Sequence, residues 1–236
     1  MRTVWFSSCL LVSSLAALII SGRTVYAADT VSFEKPYAKA SYSIGYNFAK
    51  RFQTYGITLR ADLVARGIAD GAHGKKPLLS DAAMRKVMQN LQQQIMENKV
   101  NQHNAVATDN LKASAAFLQK IAKEDGVKKI ATGLYYKVEK QGSGDKPKLT
   151  STVKVNYEGS LIDGTVFDSS YKRNEPISFK LSQVIVGWQE ALQLMSVGST
   201  WMIYIAPELA YGDMAPASIG PNQALTFKVE LLDIVH

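Results

Sequence analysis

VKVNYEG, at residues 153–159, alternates apolar and polar side chains. Val153, Val155 and Tyr157 fall on one face of an extended chain, because successive side chains of a strand point to opposite sides. The run therefore predicts a β-strand with one buried face. Asp163-Gly164 follows it as a turn signal. This pattern predicts β-structure in the C-terminal part of the chain.

Further motifs rich in aromatic residues and glycine follow this strand in order. None of them supplies a recognisable pair of nucleophile and base. They are Phe167-Asp168-Ser169-Ser170, Val184-Ile185, Gly187-Trp188, Ala210-Tyr211-Gly212, Ile219-Gly220-Pro221 and a last apolar strand from Leu225 to Ile234. As an ordered set, they resemble the FK506-binding protein (FKBP) family of peptidyl-prolyl isomerases over about the last hundred residues.

Two segments nearer the N-terminus carry a second resemblance. YSIGYNF at 42–48 and GKKPL at 74–78 are similar to the N-terminal domain of the bacterial macrophage infectivity potentiator (Mip) type of this family. The resemblance implies an α+β protein with a helical N-terminal dimerisation domain, a long connecting α-helix, and a C-terminal FKBP-like antiparallel β-sheet wrapped around a short helix. It also implies a homodimer, in which the N-terminal helices intertwine with those of a second subunit.

The first residues have the composition of a secretory signal. Arg2 is followed by a run without charge until Arg23, and Val25-Tyr26-Ala27 offers residues that a signal peptidase reads. Residues 1–27 are therefore predicted to be cleaved, and an uncleaved membrane anchor is the alternative, since the run is nearly long enough to span a bilayer. The only cysteine, Cys9, lies in this segment, so the mature chain needs no disulfide. We expect an exported protein that is periplasmic, associated with the outer membrane, or secreted.

Helical periodicity follows the signal. Apolar residues recur every three to four positions through residues 35–74, with Gly56 as a break. After GKKP at 74–77, Ser80 offers an N-cap, and no Gly or Pro interrupts residues 81–125. An unbroken helix of that length extends over ~60 Å at ~1.5 Å per residue.

An apolar stripe marks the start of this long helix, whereas its middle is polar. A short helical segment has too little core of its own, so we expect a partner chain to cover the stripe. The stripe consists of Met84, Val87, Met88, Leu91 and Ile95. The predicted segments are a signal peptide at 1–27, a helical dimerisation domain at 28–80, a connecting helix at 81–126 whose start packs in the dimer, and an isomerase domain at 127–236, with its first strand at 130–138.

Positive charge is concentrated in the N-terminal half. Residues 28–130 contain 16 Lys and Arg against 9 Asp and Glu, and such a balance can mark nucleic-acid or membrane-surface binding. Here the positive residues occur as short pairs, such as Lys50-Arg51 and Lys75-Lys76. We interpret them as a solvated surface and expect no nucleic-acid partner. The three histidines lack metal-ligand spacing, so we expect no metal and no cofactor.

The FKBP resemblance implies a pocket of aromatic and β-branched side chains. Trp188 would form the floor under the proline ring of the substrate. The Ile185 backbone N–H and the Tyr211 hydroxyl would donate hydrogen bonds to substrate carbonyls, and Asp168 would orient polar groups at the rim. These four are the implied catalytic residues. The implied substrate-binding residues are Tyr157, Phe167, Phe179, Val184, Ile219 and Phe227.

The resemblance implies a peptidyl-prolyl cis-trans isomerase (rotamase) that accelerates X-Pro isomerisation during folding of exported proteins, by a noncovalent mechanism. Its partners would be unfolded or partly folded polypeptides that contain proline, and macrolides such as FK506 or rapamycin are candidate inhibitors. A hydrolase function for Ser169-Ser170 is not supported, because no G-x-S-x-G motif surrounds them. The alternative is a dimeric periplasmic chaperone or host-protein-binding module that depends little on catalysis.

Overall fold

A computed structural model describes residues 32–235. The signal peptide predicted at 1–27 lies outside these residues. The described chain forms two compact units, 32–51 and 52–235. No helix between residues 32 and 235 combines the length and the apolar composition needed to cross a membrane.

Three helices lie between residues 32 and 126, as the sequence predicts: α1 (Ala38–Thr54), α2 (Ala61–Ala72) and α3 (Asp81–Ile121). The break after α1 contains Gly56, whose φ of 69° lies in the left-handed region that favours glycine. The Ser80 hydroxyl accepts a hydrogen bond from the Ala83 N–H at 3.2 Å and so caps α3. The start of the long helix is therefore where the sequence places it.

The end of α3 differs from the prediction. The sequence extends the helix to residue 126, whereas α3 ends at Ile121. Beyond it, the Lys123 and Glu124 N–H groups bond to carbonyls three residues back, on Lys120 and Ile121. Such bonds tighten the last turn and lead the chain out of the helix, so a helix can end without Gly or Pro.

Seven strands and two short α-helices lie between residues 127 and 235. The strands are β1 (Val127–Ala131), β2 (Leu134–Lys140), β3 (Thr152–Leu161), β4 (Val166–Ser169), β5 (Ile177–Lys180), β6 (Thr200–Ile205) and β7 (Leu225–Val235), and the helices are α4 (Ser170–Arg173) and α5 (Val186–Leu192). The strands form one antiparallel sheet in the order β1-β2-β6-β7-β3-β4, and β5 also pairs with β3. The predicted α+β class is confirmed.

The single strand predicted at 130–138 is wrong, since two strands pair there as a hairpin. β1 and β2 are antiparallel and join at a tight turn after Ala131. Gly133 in this turn has a φ of 78°, and a Cβ atom there would lie 2.6 Å from the Cβ of Ala206. A residue without a side chain therefore permits both the turn and the close approach.

The sheet and α5 share the main core. Trp188, Ala191 and Leu192 of α5 are buried together with inward-facing strand residues. Val153 and Val155 are fully buried in this cluster, which is the face that the alternation in VKVNYEG predicts. The short helix thus supplies one side of the core and the sheet the other.

The end of α3 covers the opposite face of the sheet. Leu118 and Ile121 are buried in a second cluster with Tyr204 of β6. The β6 neighbours Ile203 and Ile205 belong to the main core with α5. Because successive side chains of a strand point to opposite sides, α3 and α5 pack on opposite faces of the sheet.

Candidate active site

One cavity of about 270 Å³ opens between the sheet and α5. Nine of the ten residues implied by the family resemblance line it. The lining is Tyr157, Phe167, Asp168, Phe179, Gln183, Val184, Ile185, Trp188, Tyr211 and Phe227. The tenth residue, Ile219, does not line the cavity but is buried in the main core that also contains Trp188.

The elements around the cavity each contribute one or two side chains. Tyr157 comes from β3, Phe167 and Asp168 come from β4, and Phe179 comes from β5. Strands β4 and β5 pair with opposite ends of β3. Phe227 comes from β7. Residues that lie far apart in sequence therefore meet because β3 pairs with three other strands.

Gly159 allows two of the cavity aromatics to approach β3. On that strand it pairs with Asp168 on one side and with Phe227 on the other. A Cβ atom at this position would lie 2.7 Å from both the Phe167 and the Phe227 ring. Any residue with a side chain would therefore displace these rings.

Trp188 lies beneath the cavity, and three aromatic rings meet it edge to face. Its ring centroid lies 5.4 Å from that of Tyr157, 5.9 Å from Phe179 and 5.3 Å from Phe227, with interplanar angles of 81–88°. Such T-shaped contacts are favourable for aromatic quadrupoles. The indole is 4% exposed, so these contacts hold a rigid apolar floor.

A polar network closes one side of the cavity. The Tyr157 hydroxyl donates a hydrogen bond to Asp168, and Arg173 donates to Asp168 and, at 3.1 Å, to the Tyr157 oxygen. Burial opposes ionisation of Asp168, but the hydrogen bonds from Tyr157 and Arg173 outweigh it and lower the pKa of this carboxyl. Burial and the neighbouring carboxylate raise the pKa of Tyr157. Asp168 is therefore an ionised acceptor at neutral pH, and Tyr157 remains a donor.

Besides the buried Trp188 Nε1–H, two hydrogen-bond donors at the cavity have no partner in the described chain. The Ile185 N–H, just before α5, meets no acceptor within residues 32–235, and neither does the Tyr211 hydroxyl. Tyr211 is 42% exposed. Burial, with a contribution from the Asp168 charge, raises its pKa, so its O–H stays protonated through the neutral range. Both groups can donate to a bound ligand.

The two serines after Asp168 are used for structure. The Ser170 hydroxyl is fully buried and accepts the Tyr157 N–H at 2.8 Å. The Ser169 hydroxyl accepts the Lys172 N–H at 3.3 Å and caps α4. The Ser169 hydroxyl also donates to the Glu158 carboxylate at 3.2 Å, and neither serine lines the cavity. Within residues 32–235 no group of three or more His, Cys, Asp or Glu side chains could hold a metal ion.

Comparison with known proteins accounts for both halves of the chain. The family model for "FKBP-type peptidyl-prolyl cis-trans isomerase" matches residues 144–232, and that for "Domain amino terminal to FKBP-type peptidyl-prolyl isomerase" matches residues 37–138. The chain belongs to the FKBP-type peptidyl-prolyl cis-trans isomerase family. The predicted resemblance, drawn from the ordered motifs, is therefore confirmed.

Relatives of this FKBP match almost the whole chain. Peptidyl-prolyl cis-trans isomerase Mip of Coxiella burnetii is 42% identical and covers 95% of this chain and 97% of its own. Outer membrane protein MIP of Legionella longbeachae is 40% identical, with 88% and 90% covered. The crystal structure of FkpA from Escherichia coli aligns with a TM-score of 0.74 at 38% identity, covering 86% of this chain and 98% of that one. The protein is thus an FKBP-type isomerase of the Mip kind.

Sequence reasoning missed one residue that lines this FKBP cavity, Gln183, and one that bonds to its lining, Arg173. Arg173 lies on the four-residue helix α4, five positions after Asp168, and Gln183 lies just before Val184. Arg173 sits in a polar stretch where a charged residue is ordinarily solvated. The only signal in the sequence was its short distance from an acidic residue already placed in the pocket.

Proposed function

We propose that the cavity accelerates X-Pro isomerisation by binding the twisted amide, without forming a covalent bond to the peptide. Rotation about the amide costs ~18–20 kcal/mol because resonance is lost, and it takes ~10–100 s unaided. An environment that binds the twisted amide more tightly than the planar one lowers this barrier. The cavity offers an apolar floor, aromatic walls and two unpaired donors, which suit a twisted, less charge-separated amide.

The lining residues other than Gln183 each have a role in this proposal. Trp188 is the floor under the proline ring. The Ile185 N–H and the Tyr211 hydroxyl bind substrate carbonyls, since both are donors without a partner in the described chain. The walls are Tyr157, Phe167, Phe179, Val184 and Phe227, and Ile219 supports the floor from the core.

Asp168 has an orienting role and is not a base, because isomerisation moves no proton. Its carboxylate is already bound by Tyr157 and Arg173. It fixes the Tyr157 ring against Trp188 and places negative charge at the rim, where it can accept a hydrogen bond from the substrate. A group held in this way contributes geometry rather than proton transfer.

The proposal rests on one observation: three aromatic rings pack edge to face around Trp188 in a cavity that also contains the unpaired Ile185 N–H and Tyr211 hydroxyl. The full chain should accelerate refolding of a protein whose slow phase is X-Pro isomerisation. Phe179→Ala removes one wall and should lower kcat/KM on a cis-Pro peptide about tenfold, while Tyr171→Ala removes an aromatic ring outside the cavity and should not. If Phe179→Ala kept full activity, this cavity would not be the catalytic site, and the chaperone alternative would gain support.

We also propose that the protein is a homodimer joined through its N-terminal helices. Helix α1 has no buried residue, and Ile44 and Ile68 are 70% and 66% exposed. Val87 and Met88, in the stripe of α3, are also exposed. Soluble monomers rarely leave many large apolar side chains uncovered. An apolar groove of about 380 Å³ adjoins the stripe, lined by Phe52, Arg85, Met88, Gln89, Leu91, Gln92 and Ile95.

Export and the nature of the clients complete the proposal. The uncharged run at residues 3–22 and the name of the Legionella relative, an outer membrane protein, support cleavage near Ala28 and a location in the periplasm or at the outer membrane. The clients would then be exported proteins that fold there. Intact-mass measurement of the envelope fraction tests cleavage, since retention of Met1 would identify an anchor.

FK506 or rapamycin, if it occupies the same cavity, should inhibit the isomerase competitively with the peptide substrate.

A further inference from the structure

The end of α3 is bonded to the segment 212–224, which leads from the cavity residue Tyr211 to β7. The Ser114 hydroxyl donates to the Asn222 carbonyl at 3.1 Å and accepts the Ala224 N–H at 2.7 Å. One side chain therefore bridges two backbone groups just before the strand begins. Both the donor and the acceptor function of the hydroxyl are used.

Two more α3 side chains reach the same segment. The Asn110 amide donates to the Pro221 carbonyl at 2.6 Å. His103 Nε2 lies 2.9 Å from the Asp213 carboxylate. The second pair is exposed on both sides, and such pairs contribute little. Ser114 and Asn110 therefore carry most of the attachment.

The attachment reaches the cavity through backbone contacts. The Asn222 N–H donates to the Gly212 carbonyl at 2.9 Å, which ties the two ends of the segment together. Asn222 has a φ of 53°, in the left-handed region that Asn adopts more readily than most L-residues. Gly212 follows Tyr211 directly, and Ile219 within the segment is buried in the core that contains Trp188. The position of Asn222 thus influences both Tyr211 and Ile219.

Ser114 is not explained by packing alone. It is 1% exposed on the α3 face that also buries Ala107, Leu118 and Ile121. An apolar residue would suffice to fill that position. A buried hydroxyl is costly unless it is hydrogen-bonded, and here both bonds go to segment 212–224. Its specific contribution is therefore to hold that segment.

We propose that Ser114 and Asn110 are positioning residues of the isomerase, which hold segment 212–224 so that the Tyr211 hydroxyl faces the cavity. This inference rests on the proposed function and deepens it. On this proposal the long helix α3 does more than connect two parts of the chain, because it also positions a catalytic residue. Neither Ser114 nor Asn110 lines the cavity. Loss of either side chain should therefore lower turnover by displacing Tyr211.

A double-mutant cycle in the full chain tests this coupling. Ser114→Ala and Asn110→Ala should each lower kcat/KM on a cis-Pro peptide by about three- to tenfold. In a Tyr211→Phe background, which has no hydroxyl left to misplace, the same substitutions should have almost no effect. Equal losses in both backgrounds would overturn the proposal. Asn110 is half-buried, so its variant provides the test should Ser114→Ala fail to fold.

Matched controls lie on the same helix. Thr108→Ala removes an α3 hydroxyl that bonds only to the Asn104 carbonyl, and Asn104→Ala removes an exposed amide. Both should leave kcat/KM unchanged. If Thr108→Ala and Ser114→Ala lowered activity equally, general weakening of the helix would be the cause and the proposal would be wrong.

The Tyr211 ring signals in a ¹³C-tyrosine NMR spectrum give a readout that does not depend on catalysis. They should shift or broaden in Asn110→Ala and Ser114→Ala and stay in place in the two controls. If Tyr211→Phe were fully active but the Tyr211 ring signals still shifted in Asn110→Ala and Ser114→Ala, the positioning role would stand and the proposed role of Tyr211 would be wrong. If Tyr211→Phe lost activity but Asn110→Ala left both activity and ring signals at wild type, the positioning role would fall alone.

Discussion

The Tyr157 hydroxyl donates a hydrogen bond to the Asp168 carboxylate, joining strands β3 and β4 at the edge of the aromatic cavity. Arg173 donates to both groups. Every partner in this triangle is a charged group or a hydroxyl, and charge-assisted bonds fix geometry well. The Tyr157 ring that contacts Trp188 is thereby held by its polar end as well as by packing.

Removal of Arg173 should shift the acid limb of the activity profile. The folded-state pKa of Asp168 lies below its usual value of about 3.9, so the ionised carboxylate stabilises the fold above that pH. This stabilisation is lost as the pH falls through the folded-state pKa. Arg173→Ala removes one of the lowering bonds while burial remains. Its kcat/KM should begin to fall at a higher pH than in wild type.

The adjacent Lys172 provides the control for Arg173. Lys172 is an exposed cation whose side chain makes no hydrogen bond or ion pair with Asp168. Lys172→Ala should leave the acid limb of kcat/KM in place between pH 3 and 7. An identical shift for both variants would show that net charge, and not the bond to Asp168, sets the profile.

Tyr211→Phe should lower kcat/KM about three- to tenfold, because one hydrogen bond is worth ~0.5–1.5 kcal/mol net. The hydroxyl makes no bond to other residues within 32–235, so stability should be unchanged. Tyr171→Phe removes a hydroxyl outside the cavity and is the matched control. Full activity of Tyr211→Phe would exclude a hydrogen bond from this hydroxyl in the transition state.

The sequence predicts the parts of the site that depend on strand alternation. Val153, Val155 and Tyr157 point to the core because a period of two requires it. The same reasoning places Phe227 on the inward face of the last strand. The family motifs supply the remaining cavity residues, because a cavity formed by six separate segments has no local signal in the sequence.

Contacts between distant polar residues could not be predicted. Ser114 meets Ala224 across 110 positions, and Arg173 meets Tyr157 across 16. A serine within a helix and an arginine in a polar turn are both ordinary where they stand. Their roles arise from the contacts of α3 with segment 212–224 and of α4 with β3, which local periodicity does not determine.

Met88→Glu should dissociate the proposed dimer. Met88 is exposed within the apolar stripe and lines the adjoining groove, and a carboxylate buried in an apolar interface without a partner is strongly unfavourable. Light scattering at micromolar concentration should show a dimer for the wild-type chain and a monomer for the variant. Met214→Glu, at a residue 89% exposed in the C-terminal half, is the control. A monomeric wild-type chain would reject the dimer.

A fragment that begins at residue 127 should be less stable than one that begins at 105. The longer fragment keeps Leu118 and Ile121, which cover Tyr204 on the sheet. Burial of each such side chain contributes ~1.5–3 kcal/mol, so the two fragments should differ by several kcal/mol. Urea unfolding measures the difference, and Leu118→Ala in the longer fragment should fall between them. Equal midpoints would show that the end of α3 is dispensable for the fold.

Ser170→Ala should cost stability and spare catalysis. Its fully buried hydroxyl accepts the Tyr157 N–H, and an unsatisfied buried donor costs ~1–3 kcal/mol. Ser178→Ala, at an exposed position on β5, should change the free energy of unfolding by less than ~0.5 kcal/mol. Ser169→Ala should cost ~0.5–2 kcal/mol through the lost cap of α4.

Activity of the serine variants separates a noncovalent mechanism from a covalent one. Below its unfolding transition, with folding verified by circular dichroism, Ser170→Ala should retain most of the wild-type kcat/KM on a cis-Pro peptide, and so should Ser169→Ala. Neither hydroxyl is needed to bind a twisted amide, whereas a nucleophile would be indispensable. Abolished turnover in a folded serine variant, together with full activity of Tyr211→Phe and Asp168→Ala, would contradict catalysis by differential binding.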